Sequence, residues 1–219
     1  MRLSPSSVAG IVGAVGLALL AADPALAQSL PTAARRPAYG FVAGVNVATL
    51  AGDVVNASTR AGLTAGAYAA FPLATGVALQ PELLYSMEGA KLDIGANGGM
   101  RLDYLRVPVL LRVAIPTSSN VRPFAAFGPS FGFQTKCEVS GSSGGASVAM
   151  SCDDVATLGG PGFERRKFDL SGRVEAGLTV DTQGVRLILG GSYAHGFTDV
   201  FKDQNVKNRV FSVFVGVGR

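Results

Sequence analysis

Tryptophan is absent from this sequence, histidine occurs once and cysteine twice, and charged residues make up only 16%. Each shortage removes a class of function. The single histidine, His195, and two cysteines with no histidine beside them give too few ligands for a zinc site, so no metal or other cofactor is expected. The 19 basic residues are scattered among 15 acidic ones, and no Lys/Arg stripe of the kind that binds nucleic acid is present. Beyond residue 22 no apolar run approaches the roughly 18 residues that a membrane-crossing helix needs.

The first 27 residues read as a cleavable export signal. Arg2 precedes a near-continuous apolar run over residues 8–22, Pro24 breaks the run, and Ala25 and Ala27 flank Leu26 in the small-x-small pattern that signal peptidase accepts. A run of about 15 residues is too short to cross a hydrocarbon core of ~30 Å as a helix. Residues 28–219 are then expected to form one mature domain. Arg2 and Asp23 cancel, so the formal net charge of +4 passes unchanged to that domain.

What the chain does have is apolar residues that are plentiful but never bunched. They make up 48% of it, with a mean hydropathy of +0.34. From residue 39 they recur every second position. Tyr39, Phe41, Ala43, Val45 and Val47 oppose Gly40, Gly44 and Asn46, and Leu63 to Phe71 repeats the pattern against Gly62, Thr64 and Gly66. A third segment sets Val77, Leu79, Leu83 and Tyr85 against Gln80, Glu82 and Ser86. A fourth sets Leu105, Val107, Val109, Leu111 and Val113 against Tyr104, Arg106, Pro108 and Arg112. The fifth carries Phe127, Phe131 and Phe133, and the sixth alternates Phe168, Leu170, Val174, Ala176, Leu178 and Val180 with Asp169, Ser171, Arg173, Glu175 and Thr179. The seventh and eighth carry Val185, Leu187, Leu189 and Tyr193, then Phe211, Val213, Val215 and Val217. Side chains of a strand point alternately to its two faces, so each segment predicts a strand with one apolar and one polar face.

The connections add a direction. Those after the second, fourth and sixth segments are short, over 72–75, 116–120 and 181–184. Those after the first, third, fifth and seventh are longer and polar, roughly 49–60, 87–100, 135–166 and 195–208. Short periplasmic turns and long outer loops are the outer-membrane arrangement, and an even strand number returns both termini to the periplasm. The expected fold is therefore all-β: an eight-stranded antiparallel up-and-down transmembrane β-barrel. A soluble lipocalin-like barrel would put the apolar face inside. The polar faces of the first, second and fifth segments, built from Gly, Ser, Thr and Asn rather than solubilising charges, argue against it. Phe (12) and Tyr (5) can supply the interfacial girdles that Trp often forms.

Several blocks resemble the outer-membrane β-barrel family that includes the PorT-like proteins, often labelled porin-family or OmpX/OmpA-like. They are Gly44-Val45-Asn46 with Leu50-Ala51-Gly52, the run from Pro81 to Lys91 (PELLYSMEGAK), the run from Tyr104 to Leu111 (YLRVPVLL), Arg122-Pro123-Phe124, and Gly128-Pro129. The resemblance implies an eight-stranded barrel in the outer membrane of a Gram-negative bacterium, inserted by the barrel-assembly machinery, with a secretion role in some relatives. Such barrels usually end in an aromatic residue, whereas this sequence ends in Arg219.

Three constellations bear on chemistry. Glu82, Arg106 and Arg112, with Asp169, Arg173, Glu175 and Arg186, fall on the inward face. A barrel of eight strands has a lumen just wide enough to be filled by side chains, so these charges are expected to pair across strands as an ion-pair network that plugs it. A narrow passive channel for ions or small solutes is the alternative. Cys137 and Cys152, exported to an oxidising compartment, are expected to form a disulfide in the longest outer loop. Ser192, His195 and Asp199 invite comparison with a hydrolase triad, but Ser192 and His195 are three apart and fall on opposite faces of a strand, so no catalytic residue is assigned. The expected role is non-enzymatic: structural, binding or secretion-associated, with membrane lipid around the wall and a protein partner at the outer loops.

Overall fold

The computed structural model describes residues 36–52, 57–93, 97–143, 146–157, 167–200 and 205–219. Ala25, Ala27 and the expected cleavage site lie outside the described residues. The elements are β1 (Ala38–Gly52), β2 (Ala57–Ala74), β3 (Val77–Asp93), β4 (Asn97–Ala114), β5 (Val121–Ser143), β6 (Ala146–Ser151), α1 (Cys152–Thr157), β7 (Phe168–Thr182), β8 (Val185–Gly196) and β9 (Val206–Gly218). All neighbouring strands are antiparallel. The order β4-β3-β2-β1-β9-β8-β7-β5 closes on itself through β4–β5 pairing, giving an eight-stranded up-and-down barrel. The remaining strand, β6, is not part of the wall and pairs only with the upper end of β5.

Alternation sets which way each strand faces. On β9, Phe211, Val213, Val215 and Val217 are about half exposed, while Val210, Ser212 and Phe214 are buried. Across the sheet, Val45 stands opposite both Leu63 and Val213, so the exposed positions join into one apolar belt. Phe41 keeps 70% of its surface exposed, which in water would be unfavourable and against lipid is the favourable state. Aromatic side chains mark both ends of the belt, with Phe127 and Phe131 between them on β5. Tyr39, Phe41 and Phe71 mark the end carrying the short turns, and Tyr85, Phe133, Phe168, Tyr193 and Phe211 mark the other. No helix among the described residues is long and apolar enough to cross a membrane.

The strands run further than the sequence pattern alone indicates. Residues 87–93 and 97–100 continue β3 and β4 as a tall hairpin, and β5 extends to Ser143 before folding back as β6 and α1. Alternation weakens there because neither face meets lipid, while the backbone ladder continues and satisfies its own hydrogen bonds. The wall is consequently uneven. β2 to β5 have 17 to 23 residues, and β7 to β9 have 12 to 15.

Glycine explains how large rings fit inside. Gly177 and Gly190 lie opposite one another on β7 and β8, and a Cβ on either would come within 3 Å of an aromatic ring, Phe124 for Gly177 and Phe214 for Gly190. The rings occupy the space that the missing side chains leave. The tight turn at Gln183-Gly184 uses left-handed backbone at both residues.

Candidate functional site: the filled lumen

The inward faces of the eight wall strands build three layers. At the short-turn end, Tyr68, Phe124, Ile188 and Phe214 form an apolar cluster with Val42 against it. At the loop end a second cluster joins Leu50, Ala90, Met100, Leu102, Tyr104 and Val206 to the Cys137–Cys152 disulfide. Between them lie buried polar and charged groups.

Arg106 dominates the upper part of that polar layer and is 2% exposed. Its Nε and Nη2 donate to the two oxygens of Glu88 at 2.5 and 2.6 Å, and Nη1 donates to Asp169 Oδ2 at 2.8 Å. One guanidinium on β4 therefore ties β3 to β7 across the barrel. The carboxylates are held in turn: Ser86 donates to Glu88 at 2.8 Å, Thr198 donates to Asp169 at 3.0 Å, and Asn46 donates to Ser86 at 2.8 Å. Ser212 of β9 donates to Asn46 at 2.7 Å, which carries the chain of bonds around the interior. The Arg106 guanidinium also lies 4.7 Å from the centre of the Tyr104 ring, and Asn208 donates to the Tyr104 hydroxyl at 3.3 Å.

Arg112 holds the lower part. It donates to Gln80 Oε1 at 2.9 Å and to Thr179 Oγ1 at 2.6 Å, and its guanidinium stacks 3.6 Å from the Phe124 ring centre. Gln80 donates to Glu82 at 2.6 Å, so Glu82 reaches Arg112 through an amide rather than directly. Arg173 and Glu175 are joined at 2.7 Å, but as neighbours on one strand rather than across two.

The seven charged residues expected inside are thus placed unevenly. Glu82, Arg106, Arg112, Asp169, Arg173 and Glu175 are all buried in the interior. Arg186 is not among the buried charges. It sits at the short-turn mouth, bonded at 2.8 Å to Asp181, which also pairs with Arg122. Glu88, the main partner of Arg106, is not singled out by the sequence, where residues 87–100 read as a loop. The signal was present, since Gln80, Glu82, Ser86 and Glu88 continue one inward face.

Cys137 on β5 and Cys152 at the start of α1 are disulfide-bonded with Cα atoms 5.5 Å apart, and both are buried in the loop-end cluster. The bridge anchors the β5–β6 excursion to the mouth of the barrel. Ser192 points into the lumen, while His195 points outward, where it stacks on Tyr193 and meets the edge of Phe197. The two do not converge. Among the described residues no group of three or more His, Cys, Asp or Glu side chains is placed to hold a metal ion.

Outside, at the loop end of the tall wall, Arg101 clasps Asp103 through both Nε and Nη2, and Tyr85 donates to the same carboxylate at 2.6 Å. Lys136 pairs with Glu138 beside them at 2.6 Å. These charges stand directly above the row formed by Leu105 and Phe133, where the apolar belt ends.

Residues 26–202 match the family model described as the outer membrane protein beta-barrel domain. No curated protein matches the chain. Among solved structures, Neisserial surface protein A is similar at 15% identity, covering 82% of this chain and 97% of that one, with a TM-score of 0.47. OprG from Pseudomonas aeruginosa is similar at 10% identity, covering 84% and 97%, with a TM-score of 0.48. Ail, the attachment invasion locus protein of Yersinia pestis, is similar at 12% identity, covering 84% and 100%, with a TM-score of 0.43.

Proposed function

The chain belongs to the outer membrane protein beta-barrel domain family, and from that premise we propose that it is a non-enzymatic, non-conducting barrel of a Gram-negative outer membrane that works through its extracellular face. The observation that carries this reading is the span of Arg106, bonded at once to Glu88 on β3 and Asp169 on β7. A permeating ion or solute would have to break charge-assisted bonds in an interior filled by side chains, each among the stronger hydrogen bonds a protein makes. Apolar clusters at both ends of the polar layer add to the barrier. The disulfide-tethered β5–β6 excursion then offers a rigid base from which outer loops meet a partner. The runs at 81–91 and 104–111 support a place near the PorT-like members, and with it a secretion-associated role.

Planar-bilayer recording of the refolded protein tests the reading. The wild type is expected to give no reproducible single-channel steps, and Arg106→Ala with Arg112→Ala is expected to give steps or a noisy leak. Regular steps from the wild type would replace the plugged barrel with a narrow passive channel.

A further inference from the structure

The charged groups inside the lumen are bonded to one another or to neutral side chains, and the Arg101–Asp103 and Lys136–Glu138 pairs outside are likewise satisfied. A different situation holds at the periplasmic rim, where three adjacent strands, β8, β9 and β1, end together. Arg219 follows β9 and is pinned there by reciprocal backbone bonds with Tyr39, at 3.1 and 2.9 Å. Arg186 stands on β8 opposite Gly218. Arg36 precedes β1. These three arginines, with Pro37, Ala38 and Tyr39, line a cleft of about 500 Å³. Among the described residues neither Arg36 nor Arg219 has an acidic partner, and Asp181 is shared between Arg122 and Arg186. The cleft is therefore cationic and partly neutralised, by Asp181 and by the backbone carboxylate that Arg219 carries at the end of the sequence.

A second hollow of about 490 Å³ adjoins it and shares Tyr39 and Arg219. Its remaining wall faces outward and is apolar at Phe41, Val185 and Val217, with the turn residues Gln183 and Gly184 at its edge. A free anion would use the cleft and leave the hollow empty. An occupant that fills both has a negatively charged head and an apolar tail, the build of an anionic phospholipid.

We propose that the rim formed by β8, β9 and β1 binds an anionic phospholipid, its phosphodiester held by Arg36, Arg186 and Arg219 and one acyl chain lying over Phe41, Val185 and Val217. Guanidinium groups suit the task because they present several N–H donors in a plane that matches phosphate oxygens. The Tyr39 ring, 61% exposed at the boundary of the belt, sits at headgroup level between the two parts of the site.

Native mass spectrometry of the full barrel in detergent tests this with three probes: phosphatidylglycerol, phosphatidylethanolamine and inorganic phosphate. Retention of phosphatidylglycerol well above phosphatidylethanolamine, with no comparable retention of inorganic phosphate, is expected. Arg36→Gln with Arg219→Gln is expected to lower phosphatidylglycerol retention on the order of tenfold or more, the scale of losing hydrogen bonds to a charged group. Arg36 precedes β1, and the backbone bonds of Arg219 to Tyr39 do not depend on its side chain, so the variant should keep its heat-modifiable gel shift; if it does not, Arg36→Gln alone carries the test. Phe41→Ala should weaken lipid retention severalfold. Equal retention of the two lipids, an arginine variant that binds like the wild type, or inorganic phosphate held as firmly as the lipid would each overturn the proposal.

Discussion

Arg106 and Arg112 stand on the same inward face of β4, separated by six positions, yet their surroundings differ in kind. Arg106 spends its donors on two carboxylates, Glu88 and Asp169, which serine and threonine hydroxyls hold in place. Arg112 meets only neutral acceptors, Gln80 and Thr179, and the face of Phe124. The first site is a closed ionic lock among three strands. The second is a cation dispersed into polar and aromatic groups, with the carboxylate of Glu82 one amide away. The difference shows that filling a narrow lumen does not require every charge to be matched directly. A guanidinium can be accommodated by dipoles and an aromatic face where carboxylates are not in reach.

The comparison makes unequal demands on the two arginines. Arg106→Ala leaves Glu88 and Asp169 buried without their counter-charge, and the expected loss is about 3–5 kcal/mol. Urea titration of the barrel folded in lipid vesicles, read by the gel shift between folded and unfolded forms, would measure it. Adding Glu88→Gln and Asp169→Asn to Arg106→Met should recover about 2 kcal/mol or more, because the uncompensated charges are then gone. If the triple variant stays as weak as Arg106→Ala, ionic desolvation is not what the lock controls.

Arg112→Ala is expected to cost less, about 1–3 kcal/mol, since it removes hydrogen bonds to neutral partners and leaves no bare carboxylate in direct contact. The same titration decides the ranking. A greater loss at Arg112 than at Arg106 would invert the comparison and make the short-turn end the anchor of the barrel.

How far these sites were legible in the sequence follows from which environment each strand face meets. The belt-forming residues of β7 and β9 announced themselves because lipid on one side and a polar lumen on the other force a strict period of two. The charged residues of β4 and β7 could be assigned inward for the same reason, and the cysteines could be paired because only two exist. Glu88 was hidden by the loss of that contrast above Tyr85, where the tall hairpin leaves the membrane. Partners were less legible than positions. Period two says that Arg173 and Glu175 face inward together, but only the register and the side-chain reach show that they bond along one strand, that Glu82 turns to Gln80, and that Arg186 turns to Asp181 at the mouth.

Ser192 gives the smallest expected effect and the sharpest contrast with the lock. It lies on β8 between Glu175 of β7 and Ser212 of β9 in register, is 3% exposed, and its hydroxyl has no hydrogen-bond partner among the described residues. A buried hydroxyl that makes no bond contributes only its desolvation cost, so Ser192→Ala should leave stability unchanged or raise it by roughly 1 kcal/mol. The same substitution bears on the serine and histidine that sequence alone places close together. With His195 stacked outside on Tyr193, the Ser192 hydroxyl has no imidazole to take its proton. Loss of a measurable lipid-ester hydrolysis on Ser192→Ala would mean that the strand can turn this serine toward His195, and that the lumen face of β8 is not fixed as its register indicates. An unchanged or higher urea midpoint, with no ester cleavage in either protein, would leave Ser192 as a small filler beside the charged layer. Polar residues of this barrel would then divide into those that lock strands together and those that only fit between them.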